Sequence, residues 1–255
     1  MDKKTTIIIM AGGLGKRMNT DANNLPKVVH LVGGVPMIVC ILRELEAFRE
    51  TARILIVVGK YRSIIDSTIR QYTDIVVEYV IQNPALGTGH AIACCLPHIS
   101  VDDSVVVLSG DVPLIRRETI AKMFVGNPEL RVLTMFMEDP TGYGRIICAS
   151  ETNGTRFVKI VEEKDCSHAE RACQLVNCGI YGFRGEVAHR FIPLIQNENA
   201  QREYYLTDIV GLAYDAGIDI ETYKIEDEHR RNVVGINTLA ELNAINGHKN
   251  GTFLW

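Results

Sequence analysis

Short runs of β-branched and aliphatic residues recur along the first half of the chain, at Thr5–Met10, Arg53–Val58, Ile75–Ile81 and Ser104–Ser109. Apolar runs of this length and composition predict strands buried on both faces. The segments between them, Pro36–Arg49, Tyr61–Gln71 and Thr88–Leu96, space their apolar residues as helices do. Strand and helix alternating over the first 110 or so residues predict an α/β fold with a mostly parallel sheet covered on both faces. In such sheets ligands bind beyond the carboxyl ends of the strands. Two of those ends read Met10-Ala11-Gly12-Gly13 and Leu108-Ser109-Gly110-Asp111.

After Asp111 the pattern changes. Arg131–Met137, Tyr143–Cys148, Arg156–Val161 and Leu175–Phe183 are strand-like with few helices between, and helices return near Gly185–Gln196 and Leu206–Ala216. This predicts a smaller β-rich lobe joined to the α/β part. No Pro/Ser linker, low-complexity tract or internal repeat interrupts the chain, so residues 1–255 are expected to form a single domain, with lobes of about 1–115 and 116–255.

With 47% hydrophobic and 23% charged residues, the 255-residue chain has the make-up of an ordinary globular protein. A formal net charge of -4 gives no general attraction to nucleic acid or to an anionic membrane, so any phosphate binding must be local. The seven cysteines show neither a Cys-x-x-Cys spacing nor a zinc pattern with paired histidines, and most read as small buried apolar residues. The N-terminus lacks the apolar core of a signal peptide, and no apolar run approaches ~18 residues. A reducing cytoplasm is the expected location.

The loop after the first run, Met10-Ala11-Gly12-Gly13-Leu14-Gly15-Lys16-Arg17-Met18, concentrates glycines and cations. It is not a Walker loop, because Arg17 follows Gly15-Lys16 where Ser or Thr belongs, and no glycine stands five positions before Gly15. Nor does it complete a dinucleotide fingerprint, because Met18 stands where the third glycine belongs. Glycines let backbone N–H groups converge on an anion and the cations add charge, although a solvated surface turn has the same composition. Asp111, at the end of another strand and after a glycine, suits a magnesium ion bridging phosphate oxygens, or simply a turn. Gly87-Thr88-Gly89-His90 reads as a loop entering a helix, with His90 a packed, hydrogen-bonded residue, and Gly142-Tyr143-Gly144-Arg145 as a tight bend. Taken alone, Glu162-Glu163-Lys164-Asp165 reads as a solvated turn. With no Ser/His/Asp or thiolate arrangement in view, these features together point to phosphate chemistry, in which positioning and charge neutralisation do the catalysis.

In order along the chain, the opening loop with Pro26-Lys27 resembles the signature of sugar-phosphate nucleotidyltransferases. More narrowly, Leu86-Gly87-Thr88-Gly89-His90-Ala91, Ser109-Gly110-Asp111-Val112-Pro113, Gly142-Tyr143-Gly144-Arg145, Val161-Glu162-Glu163-Lys164-Asp165, Val176-Asn177-Cys178-Gly179, Glu203-Tyr204-Tyr205-Leu206-Thr207-Asp208 and Gly235-Ile236-Asn237 are similar to the uridylyltransferase domain of bacterial N-acetylglucosamine-1-phosphate uridylyltransferases. The resemblance implies a Rossmann-like fold. It also implies transfer of UMP from UTP to N-acetylglucosamine 1-phosphate with release of pyrophosphate and with Mg2+ as cofactor. It makes Arg17 and Lys27 the catalytic cations, and gives the nucleotide to Ala11, Gly12, Gly13, Gln82, Gly87 and Thr88. The sugar goes to Gly144, Glu162, Asn177, Tyr205 and Thr207, and the metal to Asp111 and Asn237. Glu162 thereby moves from solvated turn to candidate sugar ligand.

The chain departs from the family pattern at Lys16, where Thr is usual, at Ala85, where Gln is common, at Ser109, where Tyr is frequent, and by three extra residues before Pro26. It is expected to lack the C-terminal β-helix that carries acetyltransferase activity in such relatives and makes their trimer contact. Two alternatives stay open. One is the same transfer with glucose 1-phosphate or dTTP, and the other is a nucleotide-sugar-binding protein without turnover.

Overall fold

The computed structural model describes residues 4–13, 18, 25–151 and 154–247. Its first half follows the expected alternation: β1 (Thr5–Met10), the short hairpin β2 (Leu31–Val32) and β3 (Val35–Pro36), α1 (Met37–Leu45), β4 (Ala52–Val58), α2 (Arg62–Tyr72), β5 (Glu78–Ile81), α3 (Thr88–Cys95), β6 (Ser104–Ser109) and α4 (Arg117–Phe124). The second half runs β7 (Leu130–Phe136), β8 (Arg145–Glu151), β9 (Gly154–Val161), α5 (His168–Arg171), β10 (Leu175–Arg184), α6 (Gly185–Phe191), α7 (Asp208–Asp215), β11 (Ile220–Lys224) and α8 (Leu239–Gly247).

One mixed sheet holds nine of these strands. Its path is β11-β7-β10-β6-β1-β4-β5, and the β8–β9 hairpin joins it through β10. The pairs of β1 with β4 and β6, of β4 with β5 and of β11 with β7 are parallel, while β10 runs antiparallel to β6 and β7. The β-rich half therefore continues the sheet of the first half, and only the hairpin stands off its main path. β1 lies at the centre, buried on both faces. Ile7 and Ile9 pack with Ile38, Ile41 and Leu42 of α1 and Ile65 of α2, and Ile8 packs on the other face with Ile92 of α3 and Ile209 of α7. Such two-sided burial is what an unbroken Ile-Ile-Ile run requires.

Three differences from the sequence expectation have local causes. The run at 75–81 contributes only its last four residues to the sheet, because β5 is an edge strand paired to Leu55–Val58 alone. Before it, the Ile75 N–H bonds the Thr73 hydroxyl and Val76 turns out to solvent. α4 was not expected, since it buries only Thr119, Ile120 and Met123 among polar neighbours. β11 is a second edge strand whose residues are all partly or fully exposed, which leaves little apolar signal. Cys40, Cys95, Cys166 and Cys178 are buried as expected, whereas Cys148 is exposed, and no disulfide links any of the seven. Among the described residues, no helix is long and apolar enough to cross a membrane.

Candidate functional site

The register at the centre of the sheet builds the site. Met10 pairs with both Val57 and Ser109, so β1, β4 and β6 end level with one another. Ala11, Gly12 and Gly13 leave the sheet there beside Gly110 and Asp111. Gly110 donates to the Met10 carbonyl at 3.0 Å, and a Cβ at Gly110 would come within 2.6 Å of that oxygen, so only glycine fits. A cavity of about 290 Å³ opens over these strand ends. Ala11, Gly12, Gly13, Lys27, Gln82, Gly87, Thr88, Asp111 and Asn237 all line it. Nine of the fifteen residues expected in the site thus meet in one cleft, although they come from loops spread between residues 11 and 237.

At one end Lys27, in a single helical turn after Pro26, places its ammonium against Asp111 Oδ2 and 2.9 Å from Asn237 Oδ1. The lysine and aspartate side chains keep only 15% and 22% exposure, so their attraction is less screened than that of a surface pair. Asp111 Oδ1 accepts the Ser109 hydroxyl at 2.7 Å, which fixes the carboxylate's rotation. Asn237 is carried to this point by two local devices. The Ile236 N–H donates to the Asp111 carbonyl at 2.8 Å. A reciprocal cap then starts α8, with the Thr238 N–H on Glu241 Oε2 at 2.9 Å and the Glu241 N–H on Thr238 Oγ1 at 3.2 Å. Lys16 and Arg17 lie outside the described residues.

At the other end, Gln82 follows β5 and is buried, with its N–H on the Val58 carbonyl. The loop 86–89 is stitched to the segment 204–206. Tyr204 donates to the Leu86 carbonyl at 2.8 Å, Gly89 donates to the Tyr204 carbonyl at 2.7 Å, and the Leu206 N–H donates to Thr88 Oγ1 at 2.9 Å. Gly87 has φ +116°, and a Cβ there would lie 2.5 Å from the Tyr204 carbonyl oxygen. The closeness of the two segments therefore depends on glycine.

The expected sugar residues form a second, adjoining group. Thr207 donates to Glu162 Oε1 at 3.1 Å, a Cβ at Gly144 would sit 3.5 Å from the same oxygen, and the Asn177 N–H bonds the Gly144 carbonyl at 2.9 Å. The Asn177 side chain is held by its own neighbours, donating to the Tyr181 hydroxyl and accepting from the Gly179 N–H. The β10–β7 register shifts between Asn177 and Tyr181, and Gly179 in that irregularity approaches Ser109, which ties this group to the Asp111 end. Tyr205 is buried, and burial with Asp165 nearby pushes its phenol up.

The acidic run does not behave as the solvated turn that its charge alone suggests. Lys164 and Asp165 are exposed. Glu162 bonds Thr207, and Glu163 pairs with the fully buried Arg145 at 2.6 Å. Burial pushes the Glu162 carboxyl up, against the pull of the Thr207 bond and with help from Asp208 and Asp165. Asp208 is pushed up to about 6 by burial and by Asp165. Ser109, which lines the cleft, and Asp208, whose charge acts on Glu162, were not among the expected site residues. Ser109 stood out only as a departure from the family pattern, and Asp208 only as the residue after Thr207.

A model of the MobA-like NTP transferase domain matches residues 7–152. A protein of Acanthamoeba polyphaga mimivirus, named "Probable UDP-N-acetylglucosamine pyrophosphorylase", is 41% identical over 216 residues, which is 82% of each chain. The bifunctional protein GlmU of Aromatoleum aromaticum is 37% identical over 238 residues, covering 92% of this chain and 50% of its own length. The chain thus spans about half of such bifunctional relatives. A crystal structure of UDP-glucose pyrophosphorylase with UDP-glucose is similar in fold, with a TM-score of 0.73 over 96% of this chain and 97% of that one at 17% identity.

Proposed function

The chain belongs to the MobA-like NTP transferase family, and from that premise we propose that it transfers UMP from UTP to N-acetylglucosamine 1-phosphate. The observation that carries the proposal is one continuous cleft, with the Lys27, Asp111 and Asn237 cluster at one end and Gln82, Gly87 and Thr88 at the other. A phosphate-handling end and a base-reading end in one cavity suit a nucleoside triphosphate. The Glu162, Asn177 and Thr207 group beside it suits an acetamido sugar, since a site of amide, hydroxyl and carboxylate partners discriminates strongly against a substrate lacking its matching groups. The name of the mimivirus relative at 41% identity, a probable UDP-N-acetylglucosamine pyrophosphorylase, supports the same sugar.

In the proposed reaction an oxygen of the sugar phosphate bonds to the α-phosphorus of UTP while the bond from that phosphorus to the leaving pyrophosphate breaks. No covalent protein intermediate is needed. Lys27 neutralises phosphate charge near the reacting centre, and Arg17 is proposed as the second cation. Thr88 already accepts from Leu206, so its own hydroxyl proton is left to donate to a base carbonyl. Glu162 accepts from sugar hydroxyls.

The residues present fit magnesium. Asp111 Oδ2 and Asn237 Oδ1 converge on one cation, the Lys27 ammonium, and one carboxylate plus a neutral oxygen leaves the remaining positions to water and substrate phosphate, as Mg2+ prefers. When bound, the ion would supply neutralisation of phosphate charge.

A matrix of nucleoside triphosphates against sugar 1-phosphates, with Mg2+ and with pyrophosphate release as the signal, tests the proposal. UTP with N-acetylglucosamine 1-phosphate is expected to be the best pair. Turnover with glucose 1-phosphate but not with its 2-acetamido analogue would reassign the sugar, and no turnover with any pair would leave a nucleotide-sugar-binding role.

A further inference from the structure

The base end of the cleft holds a histidine that none of the steps above uses. Gln82 Nε2 lies 2.8 Å from the Gly87 carbonyl oxygen and 3.2 Å from His90 Nδ1. A carbonyl only accepts, so the atom facing Gly87 must be the amide nitrogen, and the orientation of the Gln82 amide follows. The same nitrogen has one more proton, and His90 Nδ1 can take it only by offering its lone pair. The imidazole proton then sits on Nε2, which faces Cys94 Sγ at 3.9 Å, a weak acceptor suited to it. Geometry alone thus assigns the neutral Nε2–H tautomer.

With both amide protons engaged, Gln82 has only its oxygen left for a ligand. That oxygen is turned toward the glycine loop, and a Cβ at Gly12 would come within 2.8 Å of it. The Gly87 carbonyl fixes which end of the amide faces it, but by itself it would leave the second N–H free to donate to a ligand. His90 removes that freedom. It lies in α3, one turn from Cys94, and its ring packs near Tyr204, at 6.3 Å between centroids.

We propose that His90 is a positioning residue for base specificity: by accepting the second amide proton it commits Gln82 to act purely as an acceptor, selecting a pyrimidine with an N3–H, as in uracil, over cytosine, whose N3 bears a lone pair. The inference rests on the nucleotidyl-transfer reading given above. It concerns the discrimination between bases and not the chemical step, because His90 reaches the base only through Gln82.

Equilibrium titration of the full chain with UTP and with CTP, in the presence of Mg2+, tests it in three variants. His90→Phe keeps a ring and removes the acceptor. His90→Asn places an amide oxygen near the Nδ1 position, and His90→Gln places its amide near the Nε2 position. Wild type is expected to prefer UTP, and the Phe and Gln variants to lose about tenfold of that preference, the effect of one hydrogen bond at such a site. The Asn variant is expected to retain it, with kcat at saturating UTP and the KM for sugar phosphate unchanged. The Asn and Gln variants are both polar amides, so their contrast keeps the test decisive if the Phe variant fails to fold. An unchanged UTP-to-CTP ratio in the Gln variant overturns the role of His90. Equal binding of UTP and CTP by wild type overturns both this role and the nucleotide reading. A His90-dependent UTP preference without turnover on any sugar phosphate sustains the role of His90 and overturns the transfer reaction.

Discussion

Asp111 divides its two oxygens between different partners: Oδ1 accepts the Ser109 hydroxyl and Oδ2 faces the Lys27 ammonium. The first contact orients the carboxylate and the second keeps its charge compensated. Asp111→Ala is expected to cut Mg2+-dependent pyrophosphate release by a hundredfold or more, since it removes a proposed metal ligand and the charge partner of Lys27 together. Melting temperature and far-UV circular dichroism are expected to stay near wild type, because this side chain lies at the mouth of the cleft and contributes nothing to the apolar core. An unchanged rate would remove Asp111 from the site. That Asp111 faces the cleft was legible from its place after a strand and a glycine. The help it receives from Ser109 was not, because a hydroxyl two residues away signals nothing until the turn at Gly110 brings the two together.

Among the elements, α7 carries the clearest pH signature. It opens with Asp208, where the helix N-terminus favours a carboxylate, yet burial and Asp165 outweigh that preference and push its pKa up to about 6. A carboxyl whose folded pKa exceeds its unfolded one stabilises the fold below the unfolded pKa and loses that contribution as pH rises through the folded value. Stability is therefore expected to fall between about pH 4 and pH 6 on this account. Asp208→Asn is expected to flatten that part of the pH profile and to raise stability at pH 8 by on the order of 1 kcal/mol, after allowance for solvent screening of a half-buried group. Urea denaturation at pH 4, 6 and 8 checks this, and an Asn variant that parallels wild type at all three would refute it. Raised Glu162 adds to the same trend, with the same sign. None of this was legible in Glu162-Glu163-Lys164-Asp165 or in Leu206-Thr207-Asp208, because a charge run shows its burial only when the partner segment is known. The central strands were read correctly because an apolar run such as Val105–Leu108 needs burial on both faces whatever its neighbours. The edge strands β5 and β11 were misjudged or missed, since half their surroundings are solvent.

At the scale of the whole molecule the loop 86–89, proposed to read the base, and the segment 204–207, proposed to hold the sugar, are one mechanical unit. The bonds of Tyr204 to Leu86, Gly89 to Tyr204 and Leu206 to Thr88 join residues more than a hundred positions apart, immediately before Tyr205 and Thr207. Ordering one segment orders the other, so binding of one substrate should favour the other reciprocally. Thr88→Val leaves the Leu206 N–H without its acceptor, and it is expected to raise the KM for both UTP and sugar phosphate about fivefold, with Thr88→Ser close to wild type. A rise confined to UTP in steady-state kinetics would show that the two segments act separately.

What the sequence determined by itself was what depends on short-range rules. Apolar runs fixed the central strands, their alternation with helices fixed the parallel arrangement, and glycines and charged residues at strand ends marked where the cleft lies. The tertiary structure alone decided which distant groups meet. The level ends of β1, β4 and β6 set Gly12 beside Gln82, the capped start of α8 delivered Asn237 to Asp111, and the fit of Gly87 against Tyr204 joined the loop 86–89 to the segment 204–206. Each of these depends on register and close approach between segments far apart in the chain. A sequence pattern carries periodicity, but it carries no distances across the fold.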